Sequence, residues 1–243
     1  MPLESRQLLL PFLYAPAYDE RDFLPAASNN DAQRWLAAAW PDDRLALWGP
    51  AGCGKSHMLH MWAERTGAAL IDGRTLHDLD PVPHSGALAL DDADSVPGET
   101  LLLHLLNTVR DRGLTILLAS RTPPSRWPAR LPDLSSRLRS LTAVEIRPPD
   151  DDLLAALLVR LLSDRQLTAA QPVQKHLLAR LPRSPEALRE AVARLDRASL
   201  AFGKAITKRL ADQVLLDGGW AVSPADEVSM SGVDPSCQPP GLL

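Results

Sequence analysis

The chain has 243 residues, 45% of them apolar and 23% charged, with a formal net charge of −4. That length and apolar share allow a sizeable core in one or two domains, and the mildly acidic balance gives no global basic field to draw nucleic acid or an anionic membrane. The longest apolar runs are far too short to span a bilayer, and two cysteines, Cys53 and Cys237, make neither a disulfide framework nor a metal site.

The N-terminus carries acids and prolines where a secretory leader would be basic and apolar, which predicts a cytoplasmic protein with no membrane partner. Residues 1–18 show little periodicity and read as an extended tail. Within it, Gln7-Leu8-Leu9-Leu10-Pro11-Phe12 has the make-up of a docking peptide. A Gln amide can be held by hydrogen bonds while Leu10 and Phe12 fill an apolar pocket. A tether packing on its own domain is the alternative. Next, Ser28 or Asn30 can N-cap a helix over 32–40 that puts Trp35, Leu36 and Ala39 on one face. Such a leader lies against a base and sugar in a nucleotide-binding core, or is simply a packing helix.

Leu45 to Trp48 is short and apolar, as a buried strand is. It leads into Gly49-Pro50-Ala51-Gly52-Cys53-Gly54-Lys55-Ser56, which matches G-x-x-x-x-G-K-[ST] at every fixed position. Residues 56–66 lack Pro and Gly and suit a helix. Strand, loop and helix are the context in which glycines let consecutive backbone N–H groups turn toward a phosphate, at a helix N-terminus. Gly49 through His57 are therefore the predicted cofactor contacts, for ADP or ATP. Lys55 reaches the β- and γ-phosphates and the Ser56 hydroxyl ligates Mg²⁺. Cys53 occupies a variable position and reads as filler.

Ala68 to Asp72 is a further strand candidate, and an apolar run from Gly86 ends in Asp91-Asp92. Asp91 suits the Mg²⁺ shell and Asp92 the polarising of an attacking water. An acidic loop with Asp94 and Glu99 is the other reading. Residues 100–112 repeat leucine at helical spacing and stop at Gly113. Thr115 to Ser120 is a buried strand whose polar exit, Ser120, lies where a group sensing a γ-phosphate sits. Prolines then force an irregular connection before residues 134–139 and a strand over 142–146. Between Arg121 and Arg147 stand six arginines (Arg121, Arg126, Arg130, Arg137, Arg139, Arg147) against two acids, Asp133 and Glu145. They make a solvated surface, contact DNA phosphates, or send one arginine into another subunit's nucleotide.

Strand–helix alternation implies an α/β fold: a mainly parallel sheet flanked by helices. Pro148-Pro149 marks its end. Asp150-Asp151-Asp152 caps a helix through Leu162, and helices near 170–181, 185–199 and 207–216 predict a small bundle. The predicted units are a tail over 1–18, an α/β domain over 19–147, a helical lid over 148–217 and an unstructured tail over 218–243.

Phosphate loop, acidic pair, polar strand exit, arginine-bearing segment and helical lid come in the order of the AAA+ family, and the chain resembles it over residues 19–216. Within that family it is similar to the DnaA and Hda group. Leu131-Pro132-Asp133-Leu134-Ser135-Ser136-Arg137-Leu138 and Leu195-Asp196-Arg197-Ala198-Ser199 look Hda-like, and Gln7, Leu8, Leu10, Pro11 and Phe12 resemble the sliding-clamp peptide of that group. The resemblance implies a regulator that binds ADP and docks on the DNA-loaded sliding clamp, the β subunit of DNA polymerase III. It touches DNA indirectly and presses an arginine finger, here Arg137, against ATP-bound DnaA. The lid sensor falls near Arg183 or Arg189, with Glu186 where an arginine is expected. The chain stops before any helix-turn-helix unit, so direct origin recognition is not expected. A helicase loader of the DnaC or IstB kind, or a short DnaA-type initiator paralogue, is the alternative, and self-association is left open.

Overall fold

The computed structural model describes Tyr18, residues 23–202 and residues 206–220. Gln7 to Phe12 lie outside the described residues, as does the C-terminal tail beyond Trp220. The chain divides into two units between Pro148 and Pro149.

In the first unit the elements run α1 (Asn30–Leu36), β1 (Arg44–Trp48), α2 (Lys55–Thr66), β2 (Ala69–Asp72) and β3 (Ala87–Asp91), then α3 (Glu99–Asp111), β4 (Thr115–Ser120), α4 (Pro132–Ser140) and β5 (Thr142–Glu145). Among the described residues the five strands form one sheet, ordered β2-β3-β4-β1-β5. Every pairing is parallel. Central strands are buried on both faces, which is why they read as continuous apolar runs. Successive side chains still take opposite faces. Ala46, Leu88, Leu90, Ile116 and Leu118 pack with Leu102, Leu105 and Leu106 of α3 and with Leu134 and Leu138 of α4. Leu45, Leu47, Ala89, Leu117 and Ala119 pack with Met58, Leu59 and Trp62 of α2 and with Ala32 of α1. Two helical layers thus sandwich the sheet, the arrangement that buries both faces of a parallel sheet.

The first helix corrects the expectation. It spans Asn30–Leu36 with Asn29 as its N-cap, and neither Ser28 nor Asn30 holds that position. The Asn29 side chain instead accepts from Ala26 N (2.9 Å) and ties the approach turn together. The helix ends early because the Trp35 carbonyl is taken by the Trp40 indole N–H (2.7 Å) and by Ala38 N (3.1 Å). Residue 39 is left outside the helix and exposed.

The second unit holds α5 (Asp151–Asp164), α6 (Gln171–Arg180), α7 (Pro185–Phe202) and α8 (Lys208–Asp217). Asp150 caps α5 by accepting from Leu153 N at 2.8 Å, and its negative charge suits that end. Leu154, Leu158, Leu161, Leu177, Leu188, Val192, Leu195 and Leu215 fill the interior. The polar side chain of His176 is buried among them. It accepts from Arg180 at Nδ1 (2.9 Å), so its Nε2–H faces the Asp212 carboxylate. Among the described residues no helix is long and apolar enough to cross a membrane.

Candidate functional site

The site grows from three adjacent strands whose C-terminal ends lie side by side. β1 delivers the glycine loop, β3 delivers Asp91 and β4 delivers Ser120. In parallel sheets ligands bind beyond the carboxyl ends of the strands, so this edge is the place for one.

The loop over 49–54 turns tightly because Gly52 (φ 75°) and Gly54 (φ 102°) adopt left-handed backbone that side chains resist. Gly54 is the N-cap of α2, so the amides that open that helix face the loop. Gly49 N donates to Ser120 O at 3.2 Å, which ties the loop to β4. Lys55 is 8% exposed and folds back over the loop. Its Nζ donates to Gly49 O and Pro50 O, both at 2.9 Å, and lies 3.8 Å from Cys53 Sγ. The ammonium thus holds the turn closed on itself. Burial pushes the Cys53 thiol up, while the neighbouring Lys55 charge pulls it back. Pro50 and Ala51 are exposed at the apex or its shoulder, and Ser56 is half-buried in the first turn of α2.

His57 is buried one residue further. Tyr18 and Phe23 both meet its ring edge-on, at centroid distances of 5.7 and 5.5 Å. Tyr18 also stacks on His60 at 4.1 Å. Burial lowers the His60 pKa, and the Asp91 charge works against that. Tyr18 and Phe23 therefore lie against α2 immediately after the phosphate loop.

Asp91 ends β3, in register with Asp72 of β2. Its Oδ1 accepts from Asp92 N at 2.9 Å. Asp92 itself sits in left-handed backbone at φ 44° and ψ 45°. Burial and the adjacent Asp91 raise its pKa, and Arg74 opposes them. Arg74, which belongs to no sequence motif, organises this corner. Its Nε lies 3.2 Å from Asp92 Oδ2, and the guanidinium forks onto Asp72 with contacts of 3.0 and 2.8 Å. Gly73 makes the approach possible. Its N–H donates to Asp91 O at 2.8 Å, and a Cβ there would meet Asp92 O at 2.5 Å. Asp92, expected to polarise water, is thus ion-paired.

This gives a direct expectation. Arg74→Ala should raise the Asp92 pKa further, since the cation that opposes the rise is gone, and return the lowered Asp72 pKa toward the ordinary carboxylate range. Asp72 stabilises the fold above its unfolded pKa, and that stability is lost as pH falls through its depressed folded value. The acid-side dependence should therefore shrink in the variant. Carboxyl NMR titration of the two residues measures it, and an unmoved Asp92 midpoint would refute the clamp.

Ser120 is fully buried, and its hydroxyl donates to Thr122 O at 2.8 Å. In this conformation it anchors the β4 exit. Arg137 is on α4, with its side chain 17% exposed and its guanidinium 3.4 Å from Asp133 one turn earlier. Arg183 belongs to the second unit, where it pairs with Asp151 at 2.9 Å, both side chains exposed.

Among the described residues no group of three or more His, Cys, Asp or Glu could hold a metal by itself. Mg²⁺ suits this site in another way. It keeps its waters and takes one carboxylate and phosphate oxygens. Asp91, whose second carboxylate oxygen is not the one engaged by Asp92 N, and the Ser56 hydroxyl fit that donor set.

No family model matches the chain. Solved structures do. Domain III of the replication initiation protein DnaA from Thermotoga maritima matches with a TM-score of 0.65 at 19% identity, covering 84% of this chain and 97% of that one. AMPPCP-bound DnaA from Aquifex aeolicus matches at 0.59 and 19% identity, over 76% of this chain and 65% of that one. The RuvB Holliday junction branch migration motor of Thermotoga maritima gives 0.58 and 18%, over 77% and 65%. The parallel five-stranded sheet flanked by helices is thus the fold that DnaA domain III and RuvB share.

Proposed function

We propose that the chain is a nucleotide-binding AAA+ regulator of chromosome replication initiation, of the Hda type. It holds ADP or ATP with Mg²⁺ in the loop from Gly49 to His57, with Ser56 and Asp91 toward the metal. It docks on the DNA-loaded sliding clamp through Gln7, Leu8, Leu10, Pro11 and Phe12. It then offers Arg137 to the ATP of DnaA, whose hydrolysis it accelerates. The observation that carries this reading is the meeting of phosphate loop, Asp91 and β4 exit on adjacent strands, in a fold that covers 97% of an initiator's domain III. The paired state of Asp92 supports a protein that acts on a partner's nucleotide more than on its own. Bound nucleotide supplies phosphate charge that Lys55 and the loop amides are built to receive.

The test is hydrolysis of ATP by purified DnaA, with this protein and with the clamp loaded on DNA. Acceleration is expected only when both are present, and Gln7→Ala with Leu10→Ala should remove the clamp dependence. No acceleration would overturn the proposal. The likeness to RuvB favours a second reading, an ATP-driven motor or loader, which requires sustained turnover by the chain alone.

A further inference from the structure

The segment after the acidic pair reaches two distant parts of the first unit. Asp94 Oδ2 accepts from Arg121 N at 2.9 Å, immediately past Ser120. Glu99, the first residue of α3, accepts at Oε2 from Arg130 N (2.8 Å) and Leu131 N (2.9 Å). Leu131 is the N-cap of α4 and offers no capping side chain, and Pro132 follows it without an N–H. A capping side chain at Leu131 would accept from the amide of Asp133 or Leu134. Glu99 instead holds the two amides that lead into the helix, reaching Leu131 from 32 residues upstream. The same two bonds hold the Glu99 carboxyl below the usual glutamate range. Below α4, Leu134 and Leu138 pack into the cluster that contains Leu102 and Leu105 of α3. Apolar packing sets how close α4 lies but is non-directional, so it fixes the helix register weakly. The paired hydrogen bonds are directional. Arg137 stands on that helix.

We infer that Glu99 is a positioning residue: it fixes the start of α4, and through it the place where Arg137 is presented to a partner's triphosphate. The inference rests on the role proposed above for Arg137. It also links α4 to the element that follows Asp91 and Asp92, so the acidic corner and the arginine helix share one support.

Glu99→Ala, Glu99→Asp, Glu99→Gln and Arg137→Ala, each in the full chain, test it together. The readouts are amide exchange at residues 130 and 131, affinity for ADP, and stimulated hydrolysis by ATP-loaded DnaA on clamp-loaded DNA. Glu99→Ala should speed exchange at both amides and reduce stimulation on the order of ten-fold, as a small misplacement of a reacting group does. ADP affinity should stay unchanged. Glu99→Asp keeps the charge but is a methylene short, so it should behave like alanine. Glu99→Gln keeps the reach and an acceptor oxygen, so it should restore both readouts. A purely electrostatic or purely structural role predicts the reverse order or no rescue, and either result overturns the inference. If Glu99→Ala stimulates like the unmodified protein while Arg137→Ala does not, the positioning role fails and the finger stands. If Arg137→Ala stimulates normally, the finger itself fails, which the exchange data cannot mask.

Discussion

Replacing Lys55 with alanine should lower the affinity for ADP and for ATP with Mg²⁺ by about a hundred-fold or more. The argument begins with what the ammonium does in the structure. It donates to Gly49 O and Pro50 O at 2.9 Å each, inside a loop where it is 8% exposed. Those carbonyls are neutral acceptors, and a phosphate is charged. Transfer of the ammonium from one to the other replaces bonds charged on the donor side alone by contacts charged on both sides, each worth about 1.5–3 kcal/mol. Loss of two such contacts corresponds to roughly two to four decades in affinity. The fold should survive. Removing Lys55 gives up two bonds to carbonyls, but this is offset because it also removes a buried cation from the positive end of α2. The melting temperature without nucleotide should therefore change little. A second readout follows from Cys53. Burial raises its thiol pKa and Lys55 opposes this, so Lys55→Ala should raise it further and slow alkylation at neutral pH. Calorimetric titration with ADP decides the main point. Retained affinity would mean that the loop does not grip phosphate.

The parts that could be read from the chain alone are those whose cause is local. All the fixed positions of the phosphate loop fall within eight residues, and the central strands announce themselves because double-sided burial keeps their interior positions apolar. The end of α1 could not be read that way. It depends on the Trp40 indole taking the Trp35 carbonyl, a geometric competition that leaves no periodic trace. Arg74 was hidden for a different reason. Its partner Asp92 is on another strand exit, and an Arg two residues from an Asp is too common to signal anything. Glu99 looked like one acid among several in a loop. Only the return of residues 130 and 131 to its carboxylate gives it a purpose. Ser120 shows the converse. Its polar type at a strand exit suggested a phosphate sensor, but the hydroxyl is engaged with Thr122 O in a fully buried position. Composition shows which groups are present near a site, and the direction in which each one points comes from packing.

Arg137→Ala should abolish the stimulation of DnaA while leaving nucleotide binding by this chain intact. The obvious objection is that Arg137 is already paired with Asp133. Magnitudes answer it. The contacts are 3.4 Å long, and an i,i+4 ion pair on a helix surface is worth about 0.3–0.5 kcal/mol. An arginine delivered to a transferring phosphoryl group is worth about 10³–10⁵ in rate, or roughly 4–7 kcal/mol. The helix pair is therefore far too weak to hold the guanidinium back. The resting environment is also poor. The Arg137 Nε is buried, and its ion-pair partner Asp133 Oδ1 stands 3.4 Å away without meeting it as a hydrogen bond. Moving the side chain onto phosphate oxygens would exchange this long contact for short charge-assisted bonds. Asp133→Ala should then leave stimulation unchanged or slightly higher. Arg139→Ala, at an exposed neighbouring position, should leave it unchanged. Arg137→Lys should lose most of it, since a point charge cannot fork across two oxygens. The measurement is single-turnover hydrolysis by ATP-loaded DnaA in the presence of each variant. A wild-type rate with Arg137→Ala would remove Arg137 from the role and send the search to Arg126, Arg130 and Arg139, which are exposed on the same segment.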